Sequence, residues 1–310
     1  MLGRYVEWVP VCPEVEIGMG TPREPVNLVR FGTALRMIAV QSGRDYTDPM
    51  HEWGGTRVRE LAALDLCGYV LKKNSPSCGL EGVKVYSDSE TSERTGRGLF
   101  ARVVVEAMPW LPVAEEDRLA DTEGLENFLE PVVALRRLRD LSGGGLTAQR
   151  LVAFHTAHKM SLLARSRVAY DSLGRLVADV GRRDLEDARD VYRQQFMDAM
   201  RVAPTRRRHA DVLAHMAGHF RNRLDCAAAE ELAAAIDAYR RGGVPRAVPV
   251  DLIRAHARDL EVEYLSAQTY LESPAIWGQT GVRPGSDRGQ TGVKPGSDRG
   301  QTGVRPGSDP

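Results

Sequence analysis

The hydrophobic period of this chain changes once along its length, and that change limits what it can fold into. From residue 1 to about 113, the segments YVEWVPVC, CGYVLKK and GVKVYS have strand character. MHEWGGTRVRELAALDL has helical spacing, and Gly and Pro punctuate the joins. That order predicts an α/β domain over residues 1–113, with a mostly parallel sheet whose ligand loops lie beyond the C-terminal ends of its strands. Residues 114–145 read as a bridge: the acidic stretch AEEDRLADTEGLENF, a helix at LEPVVALRRLRDL, and SGGG, whose glycines stop that helix and begin a hinge. From 146 to 273 the apolar positions keep helical spacing with no strand pattern between them, and Thr147 opens the first segment as an N-cap. This predicts an all-α domain.

Residues 274–310 differ in kind. An eleven-residue unit recurs from 278 to 310 as GQTGVRPGSDR, GQTGVKPGSDR and GQTGVRPGSDP, with one valine as its only sizeable apolar side chain. Such a unit cannot build a core, so a disordered, weakly basic tether is predicted. Lys+Arg and Asp+Glu number 42 each, which leaves no global field to draw the chain onto nucleic acid or an anionic membrane. No apolar run approaches the roughly 18 residues of a membrane helix, and the opening lacks a leader pattern, so a cytoplasmic globular protein is expected. The four cysteines are too few and too scattered for a disulfide framework and read as free thiols or metal ligands.

Two cysteines share a local grammar. Cys12 in VPVCPE and Cys78 in SPSCG each follow a strand, lie within two residues of a proline and have a carboxylate or a small residue nearby. If the two strands are neighbours, the loops converge. The pair then offers thiolates to a soft metal or an iron–sulfur cluster, while small apolar filling remains the alternative for each. Cys67 precedes its strand and belongs at the opposite end of the sheet from Cys78. Cys226 reads as a helix start or buried filler. His155, His158, His209, His215, His219 and His256 all fall in the helical region. His215 and His219 have the i, i+4 spacing of metal ligands without an accompanying acid, so hydrogen-bonded structural histidines are expected over zinc. Arg206, Arg207 and Arg208, with Lys159, form a basic cluster that could hold phosphate or nucleic acid. A solvated helix terminus is the competing explanation, because cations favour C-terminal ends.

WVPVCPEVEIGMGTPREPVNLV and LCGYVLKKNSPSCGLEGVKVY closely resemble the 2-thiouracil desulfurase family. LVAFHTAHKMSLLARS, RRRHADVLAHMAGHFRNRLD and YLSAQTYLESP resemble the YbgA-like helical domain of unknown function often fused behind it. The resemblance implies a 4Fe-4S cluster held by three cysteines, with one iron open to the sulfur of a thiouracil-like base. Cys12 and Cys78 match two of the three ligand positions. Hydrolytic removal of that sulfur needs an acid–base group and a positioning hydroxyl, for which Glu14 and Ser75 occupy the matching loops. Arg23 is either a substrate-orienting cation or a structural contact. The family's first cluster cysteine follows an initial strand upstream of everything in this sequence. One ligand and the first strand of the sheet are therefore expected to be missing, which would leave a neighbouring strand with unpaired backbone groups; either the start lies upstream of Met1, or the chain is inactive and does not hold the cluster as its relatives do. The competing expectation is a non-catalytic binding or assembly protein that acts through its helical domain on nucleic acid or phosphate.

Overall fold

The computed structural model describes residues 3, 6–87, 92–143, 145–272 and, as backbone, 301–305. The chain divides into an N-terminal unit, Met1–Val133 with Gly278–Pro310, and a helical unit, Ala134–Trp277.

In the N-terminal unit, β1 (Glu7–Val11) leads into the short helix α1 (Pro13–Glu16). A hairpin follows, β2 (Val26–Phe31) and β3 (Ala34–Ala39), closed by Gly32 and Thr33. Gly32 turns the chain at φ +58°, a region glycine enters without a Cβ penalty. Then come α2 (Thr47–Ala62), β4 (Gly68–Leu71), β5 (Val83–Tyr86), β6 (Ser92–Gly96), α3 (Leu99–Ala107), β7 (Val113–Glu115) and α4 (Thr122–Gly143), with β8 (Gln301–Arg305) from the tail.

Two four-stranded sheets result, ordered β1-β8-β4-β7 and β3-β2-β5-β6. The α/β class holds, but the sheets are mixed. β4–β7 and β2–β5 pair in parallel, while β2–β3, β5–β6 and both pairings of β8 are antiparallel. All four residues of β4 are buried, as suits an uninterrupted apolar run with both faces covered. Pro10, which has no N–H to give a second partner, lies on the edge strand β1. The facing edges of β1 and β4 both pair with Gln301–Arg305. The rest of the tail, on which the expectation of disorder falls, lies outside the described residues.

The bridge between the two halves is more structured than its acidity suggests. Ala114 and Glu115 belong to β7, and α4 runs from Thr122 through the expected helix to Gly143, with the division between units falling inside it. The acidic side chains have specific partners, because Glu116 accepts from Lys72 Nζ and Lys73 N at 2.7 Å each.

The helical unit contains α5 (Ala148–Arg165), α6 (Arg167–Ala178), α7 (Leu185–Met200), α8 (Arg206–Ala217), α9 (Cys226–Arg240), α10 (Ala247–Asp259) and α11 (Glu263–Ser266). Thr147 caps α5 as expected, its hydroxyl accepting from Arg150 N at 3.2 Å. Asp184 and Asp225 cap α7 and α9 in the same way. One core gathers Met160, Leu213, Met216, Phe220, Ile253 and Leu265, among others. No helix among the described residues is long and apolar enough to cross a membrane.

Candidate functional site

The two cysteine loops converge, although their strands are not neighbours: β8 lies between β1 and β4. The contact is made beyond the strand ends. Cys12 leaves β1 and begins α1, which puts Glu14 in the first turn of that helix. The loop after β4 folds back on itself, with Cys78 N and Gly79 N donating to Ser75 O at 3.1 and 2.7 Å. Its serines then face Glu14. Ser77 Oγ donates to Glu14 Oε1 at 2.6 Å and lies 2.9 Å from both Ser75 Oγ and Cys78 Sγ. Ser75 Oγ is 3.4 Å from the same Glu14 oxygen. Arg23 takes the other oxygen, Nε to Glu14 Oε2 at 2.6 Å, and its Nη2 stands 3.9 Å from Cys12 Sγ.

Arg23 is thus an internal partner of Glu14 and also a neighbour of Cys12. Sequence reasoning passed over Ser77, which is fully buried and joins Glu14 to Cys78. The only local hint was a second hydroxyl beside the cysteine. Gly98 was missed as well. Its N–H donates to Gly79 O at 2.8 Å, and Leu99, Phe100 and Ala101 donate to Pro76 O and Ser77 O. The first turn of α3 therefore spends its otherwise unpaired donors on the cysteine loop. A Cβ on Gly98 would lie 2.3 Å from Cys78 N, so glycine here is a packing requirement.

Burial pushes the Cys78 thiol well above its ordinary range. The hydroxyl of Ser77 opposes that shift, and the charge of Glu14 adds to it. An uncompensated Cys78 is a neutral thiol, and coordination of a cation is what ionises such a group. Cys12 and Cys78 supply two soft sulfur donors in one place. Among the described residues no third cysteine stands with them, and no group of three His, Cys, Asp or Glu could hold a metal ion. The described residues therefore fit part of the donor set a cluster requires. Cys67 lies buried before β4, donating to Asp65 O at 3.4 Å, on the side away from the loop that follows that strand.

In the helical unit the histidines mostly have structural partners. His155 Nδ1 meets Tyr192 Oη at 3.1 Å, His158 Nδ1 meets Phe154 O at 2.8 Å, and His209 Nδ1 meets Tyr270 Oη at 2.8 Å. The rings of His215 and His219 lie 5.8 Å apart, and His256 packs beside Phe220. Burial, with His215 second, lowers the pKa of His219.

The basic cluster is placed differently from the expected cation-favouring C-terminus. Arg206, Arg207 and Arg208 open α8 at its N-terminal end, where the helix dipole disfavours cations. Contacts within the unit explain two of them. Arg206 donates to Tyr239 O at 3.4 Å and covers the Tyr239 ring, and Arg208 donates to Arg165 O at 2.9 Å. Cys226 is the first residue of α9 and is exposed.

Residues 1–116 match the family model of 2-thiouracil desulfurase, and residues 159–274 match that of a protein family of unknown function, DUF1722. The chain is similar to the uncharacterized protein YbgA of Escherichia coli (strain K12), 35% identical over 148 residues, which is 47% of this chain and 88% of that protein. It is also similar to the uncharacterized protein YbbK of Bacillus subtilis (strain 168), 33% identical over 107 residues, 32% of this chain and 68% of that protein. No solved structure matches it significantly.

Proposed function

The chain belongs to the 2-thiouracil desulfurase family through residues 1–116 and to the DUF1722 family through residues 159–274, and from that premise we propose that its N-terminal unit removes sulfur hydrolytically from a thiouracil-like thiocarbonyl compound. The observation that supports this most directly is the single hydroxyl of Ser77, which lies 2.6 Å from the Glu14 carboxylate and 2.9 Å from the Cys78 sulfur. It brings an acid–base group to a candidate ligand across 63 residues of sequence.

Cys12 and Cys78 would hold an iron–sulfur cluster, and such a group, when bound, offers a soft Lewis-acidic iron to the thiocarbonyl sulfur. The chain's own residues do the rest. Glu14 accepts the proton of the water that adds to the thiocarbonyl carbon. Ser77 and Ser75 occupy Oε1 and Arg23 holds Oε2, which keeps a further acceptor direction for that proton. Ser75 positions the polar edge of the ring. The remaining proton of the added water passes to the sulfur as the carbon–sulfur bond breaks, sulfur leaves as hydrosulfide, Glu14 gives its proton to solvent, and the carbon becomes a carbonyl with no net gain or loss of electrons.

The test uses protein made without air, assayed for iron, visible absorbance and sulfide release from 2-thiouracil. Iron and activity are both expected to be lost in Cys12→Ser and Cys78→Ser, whereas Glu14→Gln keeps the iron and loses activity. Sulfide release that survives both cysteine substitutions would sink the reading.

A further inference from the structure

We propose that the buried hydroxyl of Tyr69 is a hydrogen-bond donor to the iron–sulfur group that Cys12 and Cys78 would hold, and so helps to set its reduction potential. This deepens the reading above and rests on it. Tyr69 is the second residue of β4 and is fully buried. Its ring is braced: it meets the Phe100 ring edge-on with centroids 6.4 Å apart, and Phe100 packs in turn on Trp53 at 4.9 Å. Phe100 belongs to the turn of α3 that binds the cysteine loop, its own N–H donating to Ser77 O at 2.8 Å. The packing therefore ties the direction of the Tyr69 ring to the loop that carries Cys78.

The hydroxyl has no hydrogen-bond partner among the described residues. A phenylalanine would fill the same space without leaving a polar atom buried and unsatisfied, so packing alone does not account for the oxygen. Burial first, then the charge of Cys78, holds its proton well above the ordinary phenol range; Arg57 opposes the shift, and Glu16 and Cys12 add to it. The group is thus a lasting O–H donor, and both cysteines bear on it while neither engages it. Of its other charged neighbours, Arg57 cannot accept a proton, and Glu16 is turned to Arg57 at 3.2 Å. The acceptors that remain are on the sulfur side. Thiolates and cluster sulfides carry negative charge, and a donor aimed at them favours the reduced, more negative state.

Tyr69→Phe in the full chain, made without air and loaded with iron and sulfide, tests this by redox titration of the visible absorbance. The variant should bind as much iron as the native chain. Its reduction equilibrium should shift about tenfold toward the oxidised state, a midpoint lower by about 59 mV for one electron. The iron-free variant should be no less stable to urea than the native chain, which separates a donor to the bound group from a tyrosine needed for packing. An unchanged midpoint in the loaded variant would overturn this inference and leave the proposed function standing. A native chain that takes up no iron would overturn both. An iron-free variant that unfolds at lower urea would overturn the inference by assigning the hydroxyl a partner within the fold.

Discussion

Gly98→Ala is the substitution that most directly tests how α3 holds the cysteine loop. The backbone of Gly98, φ −57° and ψ 144°, is one alanine adopts without strain, so any effect comes from the added methyl group. That methyl would meet Cys78 N at 2.3 Å, Ser77 C at 2.4 Å and Ser77 O at 2.6 Å, all backbone atoms that no side-chain rotation can move. Relieving the contacts takes roughly 0.7 Å of separation between α3 and the loop, an overpacking strain of about 1–3 kcal/mol. The 2.6 Å bond from Ser77 to Glu14 does not survive such a shift unaltered. The N-terminal unit should therefore melt roughly 5–10 °C lower by calorimetry. Cys78, 1% exposed in the native fold, should react faster with a thiol reagent, measured against the exposed Cys226 in the same molecule. Gly55→Ala is the control: it lies within α2 with nothing near its added methyl, and should raise stability by up to about 1 kcal/mol. Unchanged melting and an unreactive Cys78 in Gly98→Ala would refute the reasoning.

The Tyr69 hydroxyl is buried without a hydrogen-bond partner among the described residues, and Tyr69→Phe should raise stability by about 1 kcal/mol in urea denaturation. Ser77→Ala removes the link between Glu14 and Cys78 and should cost about 1–2 kcal/mol, with kcat reduced more than KM is raised. Ser75→Ala leaves Glu14 anchored by Ser77 and Arg23 and should cost less stability; equal stability losses from the two would contradict the bond lengths. His155 is held neutral, its pKa lowered from 6.5 to about 4 by burial and, second, by the charge of Lys159. Its contribution to stability is complete above pH 6.5 and is lost as pH falls toward 4, because only the unfolded chain then takes up the proton. The loss reaches roughly 3 kcal/mol. An imidazole NMR titration should show His155 still neutral at pH 5, and His155→Gln should flatten the pH dependence of the urea midpoint over that range.

The sequence by itself determined the elements whose information is local. The apolar run of β4, the Thr147 cap and the helical spacing of α5 to α10 are written within a few residues of where they act, and the family motifs brought Cys12, Glu14, Ser75 and Cys78 together. Tertiary structure decided the rest. It placed β8 between β1 and β4, so the two loops meet without the neighbouring strands that the local reading made a condition for it. It set the three arginines at the N-terminal end of α8 and engaged two of them internally. It also gave Ser77 and Gly98 their roles, the first through a bond to Glu14 and the second through contact with the backbone of Ser77 and Cys78. The physical reason is the range of the interactions. Periodicity and caps report what a segment does with its own backbone, whereas strand order and a 2.6 Å bond across 63 residues depend on how distant segments pack.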